Sequence, residues 1–340
     1  VLATGMLLCI LTGGNIDLSV GSVVCFVGAV GGVFMEKMGM PMPIAVILML
    51  ALGAVIGAWQ AVWIAYVHVP PFITTLSGMF VFRGLSNVVL GGQTLPIKNQ
   101  AFVVLFGGGA NCYVPDILGN GEGLNRLALV VGIVACAIFV VVTMKGYLNR
   151  KKKGYETGNV VAMYVKMILI CAVIMFITVK LAQYKGIPTS LVWVLIVVLI
   201  YGYITSKTTI GRYFYAVGGN EKATKLSGIN TERVYFLAYT NMGLLSALAG
   251  MLTIARLTSA QPTYGQNYEM DAIGSCFIGG ASAYGGTGTV PGVIVGATLM
   301  GIINQGMSIM GTDQNMQKVV KGLVLLAAVI FDVVSKKRSE

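Results

Sequence analysis

Few residues in this 340-residue chain combine the types and spacings that bond-making chemistry needs. His68 is the single histidine, which removes most His-based metal sites and catalytic triads. Cys9, Cys25, Cys112, Cys136, Cys171 and Cys276 show neither metal-ligand spacing nor a disulfide framework, and His68 beside Pro70 and Pro71 reads as an interfacial residue. The glycine-rich run GGASAYGGTGTVPG, residues 279–292, has the look of a phosphate loop, but no Lys-Ser or Lys-Thr follows at the required spacing. Neither HExxH nor a nucleophile, base and orienter set is present. What remains is hydrogen-bonding chemistry. Asn15, Asp17, Ser19, Thr74, Ser77, Asn304 and Gln305 are polar residues on or beside apolar runs. They could line a path for a solute, or serve as polar contacts between helices. Asp17 and Asp271 are the candidates for an intramembrane acidic relay of the kind ion-driven transporters use, and both fall beside segment ends, where a structural role serves equally.

The elements that must position these groups follow from composition. Hydrophobic residues make up 56% of the chain and charged residues 10%, with a mean hydropathy of +0.83. A soluble domain carries about 25% charged residues, so the fold class is all-α, a polytopic helical membrane protein. Its 45 glycines suit helix backbones that approach closely in lipid. The net charge of +11 is concentrated in clusters: Lys145 and Arg150–Lys153; Lys207, Arg212, Lys222, Lys225 and Arg233; and Lys336–Arg338. The positive-inside rule places all of them in the cytoplasm and the mixed loop Gly91–Arg126 outside. None is interleaved with exposed aromatics on a soluble fold, which argues against a nucleic-acid partner.

Taken in order, the apolar runs are 1–12, 22–35, 43–67, 70–90 with Arg83 inside it, 127–144, 160–181, 188–204, 234–254, 270–283, 292–310 and 319–334. They predict about eleven membrane segments, the short ones falling below the roughly 20 residues of a full span. The chain is expected to lack a first helix, because Val1 opens in the middle of an apolar run. Residues 261–269 read as a short external segment. The Thr12–Ser22 passage is either a break lining a wet path or a tight cytoplasmic turn. LTGGNIDLSVGS at 11–22 and FIGGASAYGGTG at 277–288 share a glycine pair, a small polar patch and further glycine. Matching broken segments in two halves point to a transport path.

The long polar stretch GRYFYAVGGNEKATKLSGIN, residues 211–230, sits between membrane-length apolar runs. Asn220 is placed to cap a helix, Glu221 to sit in its first turn and Gly228 to end it in a left-handed conformation. Such a helix of about two turns is marginal in water unless something packs on it. Ala223 and Leu226, flanked by Lys222 and Lys225, form an apolar spot suited to a groove on a soluble partner. The alternative is a solvated loop helix.

Five ordered stretches carry a resemblance: TGGNIDLSVGS, PPFITTLSGMFVFRGL, the 211–230 segment, ARLTSAQPTYGQNYEMDAIGSCFIGGASAYGGTGTVPG and NMQKVVKG. Together they resemble the permease subunit of carbohydrate ABC importers of the ribose, galactose and xylose type. The resemblance implies one transmembrane permease domain over 1–340 in the bacterial cytoplasmic membrane. It also implies a second permease copy (homo- or heterodimer), a separate ABC ATP-binding subunit that binds ATP, and an extracytoplasmic sugar-binding protein. No cofactor is implied in this chain. The family's cytoplasmic coupling segment maps within 207–233 onto Gly218, Gly219, Asn220, Glu221, Ala223, Leu226, Ser227 and Gly228. The extra pair of segments within 155–206 is similar to xylose and multiple-monosaccharide permeases and favours a pentose or mixed sugars. A secondary transporter, or a permease for a non-sugar solute such as a nucleoside, is the alternative.

Overall fold

A computed structural model describes residues 1–116, 124–154 and 160–337. Parts of the expected external loop (117–123), of the basic loop and extra pair (155–159), and Arg338 with the two residues after it lie outside the described residues. Contacts divide the chain into two compact units, Val1–Gly109 with Trp193–Glu340, and Ala110–Val192.

The first unit is built around the antiparallel pair α3 (Met42–Ala65) and α11 (Thr231–Leu257). Glycines set that seam. A Cβ on Gly243 would lie 2.2 Å from the Gly53 carbonyl oxygen, and one on Gly57 would lie 2.5 Å from the Tyr239 carbonyl oxygen. Lipid gives helices no hydrophobic reason to associate, so close van der Waals packing of this kind must hold them. α2 (Val20–Gly32), continued by a π-helical turn (Val33–Lys37), runs parallel to α11, with Gly28 on Ile254 and Gly250 on the Val24 carbonyl. α1 (Leu2–Leu11) runs antiparallel to it, with Gly5 on Met242 and the Cys9 thiol facing the Ala238 carbonyl.

At one end of this unit, β1 (Leu95–Pro96) pairs with β2 (Ser259–Ala260). Between β1 and the end of the expected loop, α5 (Gln100–Phe106) forms a further helix, capped by the Asn99 side chain and ending at Gly107 with φ +92°. α4 (Pro71–Leu90) carries Arg83, whose Nη1 donates to the carbonyl oxygens of Pro262 at 3.1 Å and Tyr264 at 2.7 Å. α12 (Tyr268–Ile278) packs antiparallel on α13 (Val290–Ile309), with Gly279 against Gly292 and Gly296 against the Ser275 carbonyl. α14 (Gln314–Lys337) is held to α12 by the Lys321–Asp271 ion pair at 2.9 Å.

In the second unit, α6 (Arg126–Lys152) and α7 (Val160–Gln183) are antiparallel, with Gly132 against Thr178 and the Cys136 thiol 3.7 Å from the Cys171 carbonyl. The Asn125 side chain caps α6, and the Asp116 carboxylate accepts the Arg126 and Leu127 N–H groups. The boundary between the units falls after Val192, within α8 (Thr189–Lys207). The second unit therefore groups α6 with α7, whereas the 155–206 range groups α7 with α8.

Among the described residues, eight helices are long and apolar enough to cross a membrane: α2 with its π turn, α3, α4, α6, α7, α8, α11 and α13. The rest of the expected set of about eleven are α1 and α12, of 10 and 11 residues, and α14, which carries Lys318, Lys321 and Asp332.

Candidate coupling segment and polar path

The chain turns from α8 into α9 (Thr209–Gly219) over Thr208, whose hydroxyl accepts the Gly211 N–H. α10 (Glu221–Leu226) follows at once. The Asn220 side chain accepts the Ala223 N–H, Glu221 occupies the first turn, and Gly228 has φ +83°. Thr224 is the buried residue of this helix, and its hydroxyl donates to the Ala216 carbonyl at 2.8 Å, fixing α10 onto α9. The opposite face is open. Ala223, Ser227 and both lysines are exposed, and Leu226 is 90% exposed. A leucine so exposed on a short helix held to its own fold by Thr224 leaves a large apolar side chain uncovered by this chain.

Beneath α10 three glycine-bearing stretches meet backbone to backbone. A Cβ on Gly218 would lie 1.8 Å from the Leu11 carbonyl oxygen and 2.4 Å from the Gly286 nitrogen. One on Gly14 would lie 2.0 Å from the Ala283 carbonyl oxygen, and one on Gly285 would lie 2.5 Å from the Gly13 Cα. The Gly286 N–H donates to the Leu11 carbonyl at 3.1 Å. The two similar glycine-rich passages at 11–22 and 277–288 thus touch each other, and the end of α9 touches both. Gly218 is a packing residue here, whereas Gly219 is exposed with open space around its Cα. The Tyr235 hydroxyl on α11 donates to Glu221 at 3.1 Å and lies 3.8 Å from where a Gly13 Cβ would be. It ties α10 to the first broken passage. Neither Thr224 nor Tyr235 stands out in the sequence, although a threonine at the fourth position after an Asn cap is a recognisable back-bonding site.

The candidate path residues divide. Asp17 and Ser19 come together: Asp17 Oδ1 accepts both the N–H of Ser19 at 2.8 Å and its hydroxyl at 2.7 Å. Gln60 on α3 completes the group, with Nε2 2.8 Å from the Ser19 hydroxyl, and Gly78 on α4 leaves room for that amide. Asp17, Ser19 and Gln60 are each at most 2% exposed. Neither ion pair among the described residues involves Asp17, so this buried carboxylate is met by hydroxyl and N–H donors. Gln60 is one amide in a long apolar run, and its spacing offers no reason to pair it with Ser19. Asn15 donates to the Thr12 carbonyl at 3.1 Å, within the first broken passage. Thr74 is buried on α4, and Ser77 is exposed. On α13, Asn304 is half-buried with Oδ1 unpaired, and Gln305 is exposed. No side-chain hydrogen bond joins Thr74, Ser77, Asn304 or Gln305 to the Asp17 group among the described residues, although Thr74 lies one turn from Gly78, which packs on Gln60 and Ser19.

The described residues thus combine eight apolar helices of membrane-crossing length with broken, glycine-packed segments, a buried Asp17–Ser19–Gln60 group and an exposed short helix. The chain belongs to the family described as the permease component of the branched-chain amino acid transport system, which matches residues 1–329. It is 34% identical over 339 residues to the xylose transport system permease protein XylH of Escherichia coli strain K12, covering 100% of this chain and 83% of that protein. The Haemophilus influenzae XylH is 36% identical over 338 residues (99% and 86%), and the E. coli ribose import permease protein RbsC is 35% identical over 335 residues (98% and 81%). No solved structure matches the chain. These relatives are permease subunits of transporters, not enzymes, and this chain is a permease of the same kind.

Proposed function

We propose that this chain is the transmembrane subunit of a bacterial ATP-driven importer, carrying a monosaccharide of the xylose or ribose class across the cytoplasmic membrane. A separate ATP-binding subunit drives it, a second permease copy completes the path, and an external sugar-binding protein delivers the solute. Similarity to xylose and ribose permeases over nearly the whole chain supports the substrate class.

The observation that carries the coupling role is the exposed Leu226 on a helix whose base rests on both broken passages. α10 is the seat for the ATP-binding subunit. Asn220, Glu221 and Gly228 shape it, Ala223, Leu226 and Ser227 face the partner, and Gly218 and Gly219 link it to the breaks. A tilt of α10 is passed to those breaks through Gly218 and through Glu221–Tyr235. Asp17, Ser19 and Gln60, with Asn15, Thr74, Ser77, Asn304 and Gln305, are the polar groups proposed to serve the path.

Leu226→Asp tests this. A carboxylate placed in a dry partner groove costs about 3 to 5 kcal/mol when unpaired, roughly a 10²- to 10³-fold loss of affinity or more. The variant should insert normally, fail to co-purify with its ATP-binding subunit and lose uptake. Unmodified co-purification and import would return α10 to the status of a solvated loop helix.

A further inference from the structure

Residues 261–267, which read as external in the sequence, run down into the helix layer. Their depth is measured along α2, whose Gly32 packs against Leu95 and Ala260 at the β1–β2 end. The Cys25 thiol lies 3.4 Å from the Gln261 carbonyl and 3.3 Å from that of Pro262, and Gly21 and Gly265 touch backbone to backbone. At about 1.5 Å per helical residue, these contacts lie roughly 10 and 16 Å below Gly32. Non-helical backbone at such depth must find internal partners. Arg83 supplies them by donating to the Pro262 and Tyr264 carbonyls, and the Tyr264 hydroxyl pairs with that of Ser259 at 2.7 Å. Gly265 and Asn267 hold left-handed backbone, with φ +74° and +65°. For asparagine this is an uncommon conformation, one that the surrounding contacts must impose.

Two of the charges around this segment are paired within the protein, Arg83 with carbonyls and Asp271 with Lys321, and the half-buried Glu269 carboxylate packs against Gly21. The amides are not paired. Gln266 is exposed, Asn267 is half-buried and caps nothing with its side chain, and neither side chain has a hydrogen-bond partner among the described residues. The α12–α13 register, Gly279 on Gly292 and Ser275 on Gly296, puts Asn304 level with the start of α12, and Asn304 Oδ1 is likewise unpaired. Exposed amides at this depth cannot face lipid without a large penalty, so Gln266 and the half-buried Asn267 face a wet path, whereas Asn304 Oδ1 is closed off from solvent.

Resting on the sugar-permease reading, we infer that Gln266 and Asn267 form a midway station that hydrogen-bonds the hydroxyls of a neutral monosaccharide as it passes. Uncharged amide donors and acceptors suit a polyol that must be held briefly and released. Arg83 is the positioning residue that keeps the descending segment in place.

The full chain, assembled with its ATP-binding subunit and binding protein in proteoliposomes, tests this with Gln266→Ala and Asn267→Gly. Glycine accepts the backbone of position 267, so that variant removes the amide without adding strain. The readouts are uptake of labelled D-xylose and D-ribose, and ATP hydrolysis stimulated by the binding protein. Each variant should keep stimulated hydrolysis within about twofold while uptake falls about five- to tenfold, the loss expected for one hydrogen bond, and the xylose-to-ribose ratio should shift. Gln266→Cys should add a site of reaction with a membrane-impermeant maleimide beyond the chain's own free cysteines, and the transported sugar should protect it. Unchanged uptake in both variants, or a parallel loss of uptake and stimulated hydrolysis in well-folded protein, overturns the station alone. No uptake of either sugar by the unmodified chain overturns the sugar reading and the station together.

Discussion

The pair α3–α11 and the pair α6–α7 are each an antiparallel union of a 24-residue and a 27-residue helix, yet they are joined in different ways. In α3–α11, Gly53, Gly57 and Gly243 bring main chain onto main chain. In α6–α7, one glycine, Gly132, meets the side chain of Thr178, and Ala128 and Gly132 are the residues of α6 that become buried. Equal length therefore says little about how firmly two membrane helices are held, and neither does apolarity, which is greater in α6 and α7. Without a hydrophobic drive, the seam that admits backbone contact has the larger van der Waals energy, and the seam made by side-chain tips has the smaller.

The largest break in this comparison should come from Gly243→Val. Its Cβ would sit 2.2 Å from the Gly53 carbonyl oxygen, in a place where backbone must move. Overpacking of this kind should remove about 3 kcal/mol or more, read as a large drop in thermal midpoint in detergent or as failure to accumulate. Gly132→Val introduces a Cβ 2.4 Å from Thr178 Cγ2. A threonine rotamer can yield where a carbonyl cannot, so the loss should be about 1 kcal/mol. Equal losses in the two variants would show that the seams do not differ as described. Smallest of all, Cys136→Ala gives up a 3.7 Å thiol contact with the Cys171 carbonyl and should change stability by about 0.5 kcal/mol or less. A larger effect would mean that α6–α7 is packed more tightly than its single glycine suggests.

Much of the 211–230 segment was legible because caps and turns are local. Asn220, Glu221 and Gly228 announce α10 by residue type alone, and the structure places each in the expected role. The two glycine-pair passages were legible as a pair, and they meet. Their contact with Gly218 was not, since nothing in residues 211–230 encodes a partner distant in sequence, such as Leu11. α5 was hidden inside a loop of mixed composition, although Asn99 before AFVVLF is a cap signal. Gln60 and the descent of 261–267 were the least legible, because depth and pairing depend on tertiary contacts with α2 and α4 rather than on any periodic pattern.

The meeting of Gly13–Gly14, Gly218–Gly219 and Gly285–Gly286 also has a genetic consequence. Any single-base change in the first two positions of a glycine codon adds a side chain or stops the chain, so replacements at the crowded members, Gly14, Gly218 and Gly285, put atoms into space that main chain already fills. A screen for import-defective alleles should return three small clusters, far apart on the gene and otherwise unrelated. The three clusters should share one phenotype, so that inheritance alone would group residues that the genetic map keeps apart.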